Sequence, residues 1–260
     1  MHLGGVKTFA YDIIAAQTYR EQKRTIMIEE SINDTEAKRV LVVGGSPEPA
    51  SAREIRAAAI LSDAVVAVDR GLDAVLACGL SPDLFCGDAD TVSAAGARLV
   101  ARCEEQAAFG VEPDFDVVRY DPHKDLTDLA LALSEVALRW PGARIVATCL
   151  AGGAPDHALA VLGRLAAYPG EVGFIEDGYC GRVLKAGERW EMVGERGGRF
   201  SFTALSTGAA ASLSGMRWNL DGHPVELLSD LGISNVVEGD EASVSCISGV
   251  LICWLFSAHR

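Results

Sequence analysis

The sequence lacks the spacing that marks metal ribbons and disulfide scaffolds. Its seven cysteines, at 78, 86, 103, 149, 180, 246 and 253, include no CxxC pair and no regular interval, and they read as buried reduced thiols. It also lacks a long hydrophobic run. The apolar stretch around Val250 to Phe256 falls far short of the ~20 residues that cross a bilayer, so no membrane span is expected. The first two dozen residues contain no compact apolar core with a small-residue cleavage site, so no secretory leader is expected and a cytoplasmic location is. Basic charge is scarce: 23 Lys and Arg stand against 36 Asp and Glu, for a net charge of -13. Such a field repels nucleic acid and anionic lipid, and a polyphosphate ligand would need a local remedy such as a divalent cation.

What is present is globular. Of 260 residues, 49% are hydrophobic and 23% charged, with a mean hydropathy of +0.20, which excludes a disordered or collagen-like chain. From Arg39, short apolar runs alternate with helix-length segments. The strand candidates are 39–45, 64–68, 84–88, 115–120, 144–150 and 171–175, and the helix candidates are 51–61, 71–78, 93–107, 126–139 and 156–167. This alternation predicts an α/β fold with a mainly parallel, Rossmann-like sheet. After about Asp177 the runs are short and strand-like, divided by Gly, Asp and Ser, and predict a C-terminal β-sandwich. Three segments follow: an extension over 1–38, an α/β domain over 39–177, and a β-sandwich over 178–260.

In a parallel sheet the ligand crevice lies beyond the carboxyl ends of the strands. Aspartates stand at four of these ends: Asp69, the pair Asp88 and Asp90, the pair Asp125 and Asp128, and Asp156. Any one of them is explained as a helix cap or turn residue. Together they aim acids at one rim, where mutual repulsion calls for a cation such as magnesium. The Asp-x-Asp spacing of 88 and 90, in extended backbone, directs both acids to the same side. KDLTD opens an apolar helix, whose N-terminal N–H groups, Lys124 and the Thr127 hydroxyl suit a phosphate; a capping box is the competing reading for Thr127 and Asp128.

VDRG (68–71), GDADT (87–91), KDLTD (124–128), GGAPDH (152–157), GMRWNL (215–220) and GISN (232–235), in this order, resemble the thiamine pyrophosphokinase family. The resemblance implies an α/β domain that binds ATP and Mg2+, and a β-sandwich that binds thiamine and dimerises, with thiamine between the subunits of a homodimer. It implies transfer of the diphosphate of ATP to the hydroxyethyl group of thiamine, with release of AMP. It assigns catalysis to Asp69, Asp88, Asp90 and Asp128, with Asp88, Asp90 and Asp128 on the metal. Nucleotide contacts fall to Lys124, Asp125, Thr127, Asp156 and His157, and thiamine contacts to Trp218, Ser234 and Asn235. The pattern departs at Ala154, where the family carries Arg, at Val161, where Asn is common, and at Arg70, where it carries Gly; Arg70 is expected to supply the cation missing at Ala154. Two alternatives are a pterin-type heterocycle pyrophosphokinase and a non-catalytic thiamine or nucleotide sensor.

Overall fold

The computed structural model describes residues 37–121 and 125–256; the extension assigned to 1–38 therefore lies almost wholly outside the described residues. Six strands build the first half: β1 (Arg39–Val43), β2 (Ala64–Val68), β3 (Leu84–Gly87), β4 (Asp116–Arg119), β5 (Arg144–Thr148) and β6 (Val172–Glu176). They are parallel and ordered β4-β3-β2-β1-β5-β6. Val40–Val43 and all of β2 are buried, because central parallel strands are covered on both faces.

The connecting helices are α1 (Ala52–Ile60), α2 (Gly71–Ala77), α3 (Ala94–Ala108), α4 (Asp128–Arg139) and α5 (Pro155–Ala167). Local chemistry sets where they start. Ser51, Ser93 and Thr127 accept hydrogen bonds from Glu54, Gly96 and Ala130 N–H at α1, α3 and α4, and Pro155 opens α5. Leu129, Leu133 and Val136 of α4 and Leu165 of α5 pack on Val40, Val42, Val66, Leu84 and Ile145 in one buried cluster. The chain runs outward from β1 through β4, then returns beside β1 as β5. This reversal makes the cleft between β1 and β5 the topological switch point.

The predicted sandwich is present, and one of its layers continues the parallel sheet. β7 (Tyr179–Lys185) pairs antiparallel with β6. β14 (Val250–Phe256), β9 (Arg199–Ala204) and β12 (Asn235–Val236) follow, completing ten strands in the order β12-β9-β14-β7-β6-β5-β1-β2-β3-β4. β8 (Arg189–Val193), β10 (Ala209–Ser214), β11 (Leu220–Val225) and β13 (Glu241–Ser248) form a separate antiparallel sheet of four. Trp190 of β8 meets Phe200 of β9 at 6.3 Å between ring centroids, joining the layers. The apolar run at the C-terminus is thus an interior strand, flanked by β7 and β9. All seven cysteines are free, and all but Cys180 are buried. Among the described residues, no helix is long and apolar enough to cross a membrane.

Candidate functional site

Asp69 follows β2 with φ 47°, a left-handed conformation that Asp tolerates better than most residues. The turn lifts its carboxylate beside the end of β3, and its N–H donates to Cys86 O at 2.9 Å. Gly87 allows this approach, since a Cβ there would stand 3.1 Å from both Cα and Cβ of Asp69. Carboxylate oxygens of Asp69, Asp88 and Asp90 come within 4.8 Å of one another. Extended backbone does not align the last two. Ala89 between them is left-handed at φ 64°, and Asp90 N–H donates to Asp88 Oδ1 at 3.1 Å. A tight turn, rather than strand alternation, gathers the pair.

Asp69 is 9% exposed. Burial pushes its carboxyl above the ordinary range; the Thr91 hydroxyl, donating to Oδ2, opposes this, while Asp128, Asp90 and Asp88 add to it. Asp128, at the start of α4, is therefore the fourth charge around this point. Asp69 Oδ1 is buried and has no hydrogen-bond partner among the described residues. A carboxylate oxygen left without a partner there, gathered with the carboxylates of Asp88 and Asp90, belongs to the donor set of a hard divalent cation, and magnesium fits these residues. Arg119 was not singled out in the sequence, and Thr91 entered it only as the last residue of GDADT. Arg119 Nη1 donates to Asp88 O at 2.6 Å while its Nε and Nη2 engage Glu104 at 2.8 and 3.1 Å, so it braces the turn. Its only sequence signal was a cation ending an apolar strand.

Lys124 lies outside the described residues. Asp125 is exposed just before α4, and Thr127 accepts from Ala130 N–H at 3.3 Å, so the capping role is realised. Arg70 caps α2 without a side-chain bond. It is exposed beside the loop after β1: a Cβ on Gly45 would lie 3.4 Å from Arg70 Cβ. Asp156 and His157 are exposed in the first turn of α5, with Asp156 Oδ1 accepting from His157 N–H at 3.0 Å.

A second feature lies at the far end of the long sheet. Phe202, Trp218, Leu220, Leu231, Ile233 and Asn235 line an apolar hollow of about 320 Å³. Trp218 is 58% exposed, so it is not a sandwich-core residue. Asn235 is buried and clamps it, accepting from Trp218 N–H at 3.2 Å and donating to Trp218 O at 2.8 Å. The amide is thus occupied by the backbone of its neighbour. Ser234 is exposed beside it at φ 63°, its N–H donating to Ser201 Oγ at 3.0 Å. Phe202 and Leu231, absent from the sequence expectations, complete the hollow.

The family model for the thiamin pyrophosphokinase catalytic domain matches residues 58–171, and that for the vitamin B1 binding domain of the same family matches residues 193–251. No curated protein matches the sequence. Among solved structures, thiamine pyrophosphokinase from Bacillus subtilis superposes with a TM-score of 0.68 at 23% identity, covering 85% of this chain and 100% of that one. The Geobacillus thermodenitrificans enzyme gives 0.63 at 24%, covering 84% and 97%, and the yeast enzyme gives 0.64 at 12%, covering 86% and 88%. These superpositions establish the fold. With the acids falling inside the first match and Trp218 and Asn235 inside the second, the chain belongs to the thiamin pyrophosphokinase family.

Proposed function

We propose that this protein transfers the diphosphate of ATP to the hydroxyethyl oxygen of thiamine, giving thiamine diphosphate and AMP. The observation that carries the reading is the trio Asp69, Asp88 and Asp90 around an orphaned buried oxygen, set at strand ends in a fold with an apolar, tryptophan-walled hollow. Asp69, Asp88, Asp90 and Asp128 would hold Mg2+. When bound, the ion neutralises charge on the transferred phosphates.

The remaining work is positioning. The N-terminus of α4, with Thr127, Asp125 and Lys124, suits the nucleotide phosphates; Arg70, Asp156 and His157 border the same rim and would flank the nucleotide. Trp218 offers an indole face to a flat cationic heterocycle, an interaction of roughly 0.5 to 2 kcal/mol. Asn235 holds the backbone from which that indole projects, and Ser234 presents a hydroxyl beside it. A carboxylate takes the hydroxyl proton of thiamine as its oxygen attacks, with Asp88, Asp90 and Asp128 as candidates.

Spacing within one chain supports a homodimer. β9, which supplies Phe202 to the hollow, and β2, which leads into Asp69, are six strand steps apart in the sheet, roughly 30 Å at the usual spacing. That span is several times the length of thiamine, so one molecule reaches both features only if they come from different chains. The test is direct: incubate the protein with thiamine, ATP and magnesium, and follow AMP and thiamine diphosphate. Both products appear together, each dependent on thiamine. ATP consumption without thiamine would indicate a hydrolase instead. Binding without turnover would indicate a sensor, and turnover of a pterin alcohol in preference to thiamine a related transferase.

A further inference from the structure

At the switch point the loop after β5 is gripped from two sides. Cys149 is left-handed at φ 56°, which turns the following N–H groups out of the sheet ladder. Those of Leu150 and Ala151 both donate to Glu176 Oε1, at 2.8 and 3.2 Å. The carbonyls of the same loop are held by the loop after β1: Ser46 N–H donates to Cys149 O at 3.0 Å, and Ser46 Oγ donates to Ala151 O. Beyond this grip the chain passes through Gly152 and Gly153, at φ 85° and 76°, into α5 with Asp156 and His157. The loop lies close against its neighbour, since a Cβ on Gly152 would stand 3.2 Å from Glu48 Oε2.

Glu176 is an unusual choice for such a place. It is the last residue of β6 and only 6% exposed, where burial pushes its carboxyl up against the opposing pull of the loop N–H groups. A neutral core would avoid that cost. The next residue continues the pattern, for Asp177 Oδ2 accepts from Ser51 N–H at 3.1 Å, at the start of α1. Two consecutive carboxylates at the end of β6 therefore hold the entrances of both helices that begin at the switch point.

We propose that Glu176 is a positioning residue for ATP, acting through the loop 149–154 that it anchors, an inference that rests on the reading of Asp156 and His157, which follow this loop, as flanking the nucleotide. It reaches neither the acid cluster nor the hollow, so its effect is confined to one substrate. Charge-assisted hydrogen bonds to two adjacent amides set the path of the glycines, and with them where α5 begins.

The experiment uses the full chain and three substitutions: Glu176→Ala removes the acceptor, Glu176→Asp withdraws it by one methylene, and Glu176→Gln keeps an oxygen in place. Kinetics with each substrate varied are combined with ATP titration and hydrogen exchange at the amides of 150 and 151. For the Ala and Asp variants, the KM for ATP rises about tenfold or more, the KM for thiamine stays within about twofold, and Gln restores the ATP value to within about threefold. Amide exchange accelerates in Ala and Asp and not in Gln. If Ala does not fold, Asp against Gln carries the comparison. Faster exchange with an unchanged KM for ATP overturns the proposal, as do equal losses for both substrates or a Gln variant as impaired as Asp. A wild-type protein that binds no ATP would sink the nucleotide reading itself, whatever the variants do.

Discussion

Replacing Asp69 with Asn should make the metal-free protein more stable and the enzyme nearly inactive. The backbone tolerates the change, because Asn is among the residues that adopt φ near 47° readily, and one side-chain oxygen remains to accept from Thr91. The altered atom is the buried Oδ1, an acceptor with no partner among the described residues, on a side chain whose carboxylate is gathered with those of Asp88 and Asp90. An amide N–H there becomes a donor to carboxylates. Removing an unsatisfied buried acceptor and gaining a bond is worth roughly 1 to 2 kcal/mol, or about 2 to 8 °C in melting temperature for a chain of this size.

The pH dependence follows from the raised carboxyl of Asp69. Between the unfolded and folded values the folded state binds more protons, so wild-type stability falls as pH rises through that window and the penalty is complete above it. The advantage of Asn therefore appears above the raised value and vanishes in acid. Thermal unfolding in EDTA and in magnesium, at several pH values, reads all of this. Magnesium raises the wild-type melting temperature and barely moves that of the variant, whose turnover falls at least about 100-fold. A variant that melts below wild type in EDTA, with a wild type indifferent to magnesium, would refute the account of the cluster as a cation site.

Three further outcomes are expected. Trp218→Ala raises the KM for thiamine at least about tenfold and leaves that for ATP within about twofold, with little change in melting temperature because the side chain is 58% exposed. When Asp88→Ala and Trp218→Ala subunits are mixed equally and allowed to exchange, half the dimers are mixed and each regains one intact site, so activity returns to about a quarter of wild type; confirmed heterodimers without activity would mean that each site lies within one chain. Arg70→Ala raises the KM for ATP by about tenfold, whereas an unchanged value with the magnesium requirement intact removes Arg70 from the nucleotide site.

The first half of the chain was legible because its central strands β1, β2 and β3 are nearly continuous buried runs and four of its five helices begin at Ser, Thr or Pro, so each predicted element falls within about two residues of its position in the structure. The acids were legible for a topological reason: carboxyl ends of parallel strands converge wherever the intervening helices cover the faces. The manner of convergence was not, since the left-handed turn at Ala89 depends on what Asp88 and Arg119 bond to across the fold. Asn235 and Glu176 were illegible as clamps for the same reason, because both act on backbone groups 17 to 26 residues away. Strand-like texture after residue 177 announced antiparallel pairing, but the same texture serves an isolated sandwich or an extension of an existing sheet.

The pairing of β6 with β7 carries a consequence for how such proteins can change. The antiparallel half begins as a ladder of backbone bonds on the border of the parallel half, from Val172 with Val183 to Glu176 with Tyr179. Severing the chain there would bare an inner strand on each fragment, an invitation to aggregate rather than two working pieces. Exchange of one half for a foreign module would break that ladder, whereas loops such as 215–219 and 226–234 can change while the woven backbone stays intact.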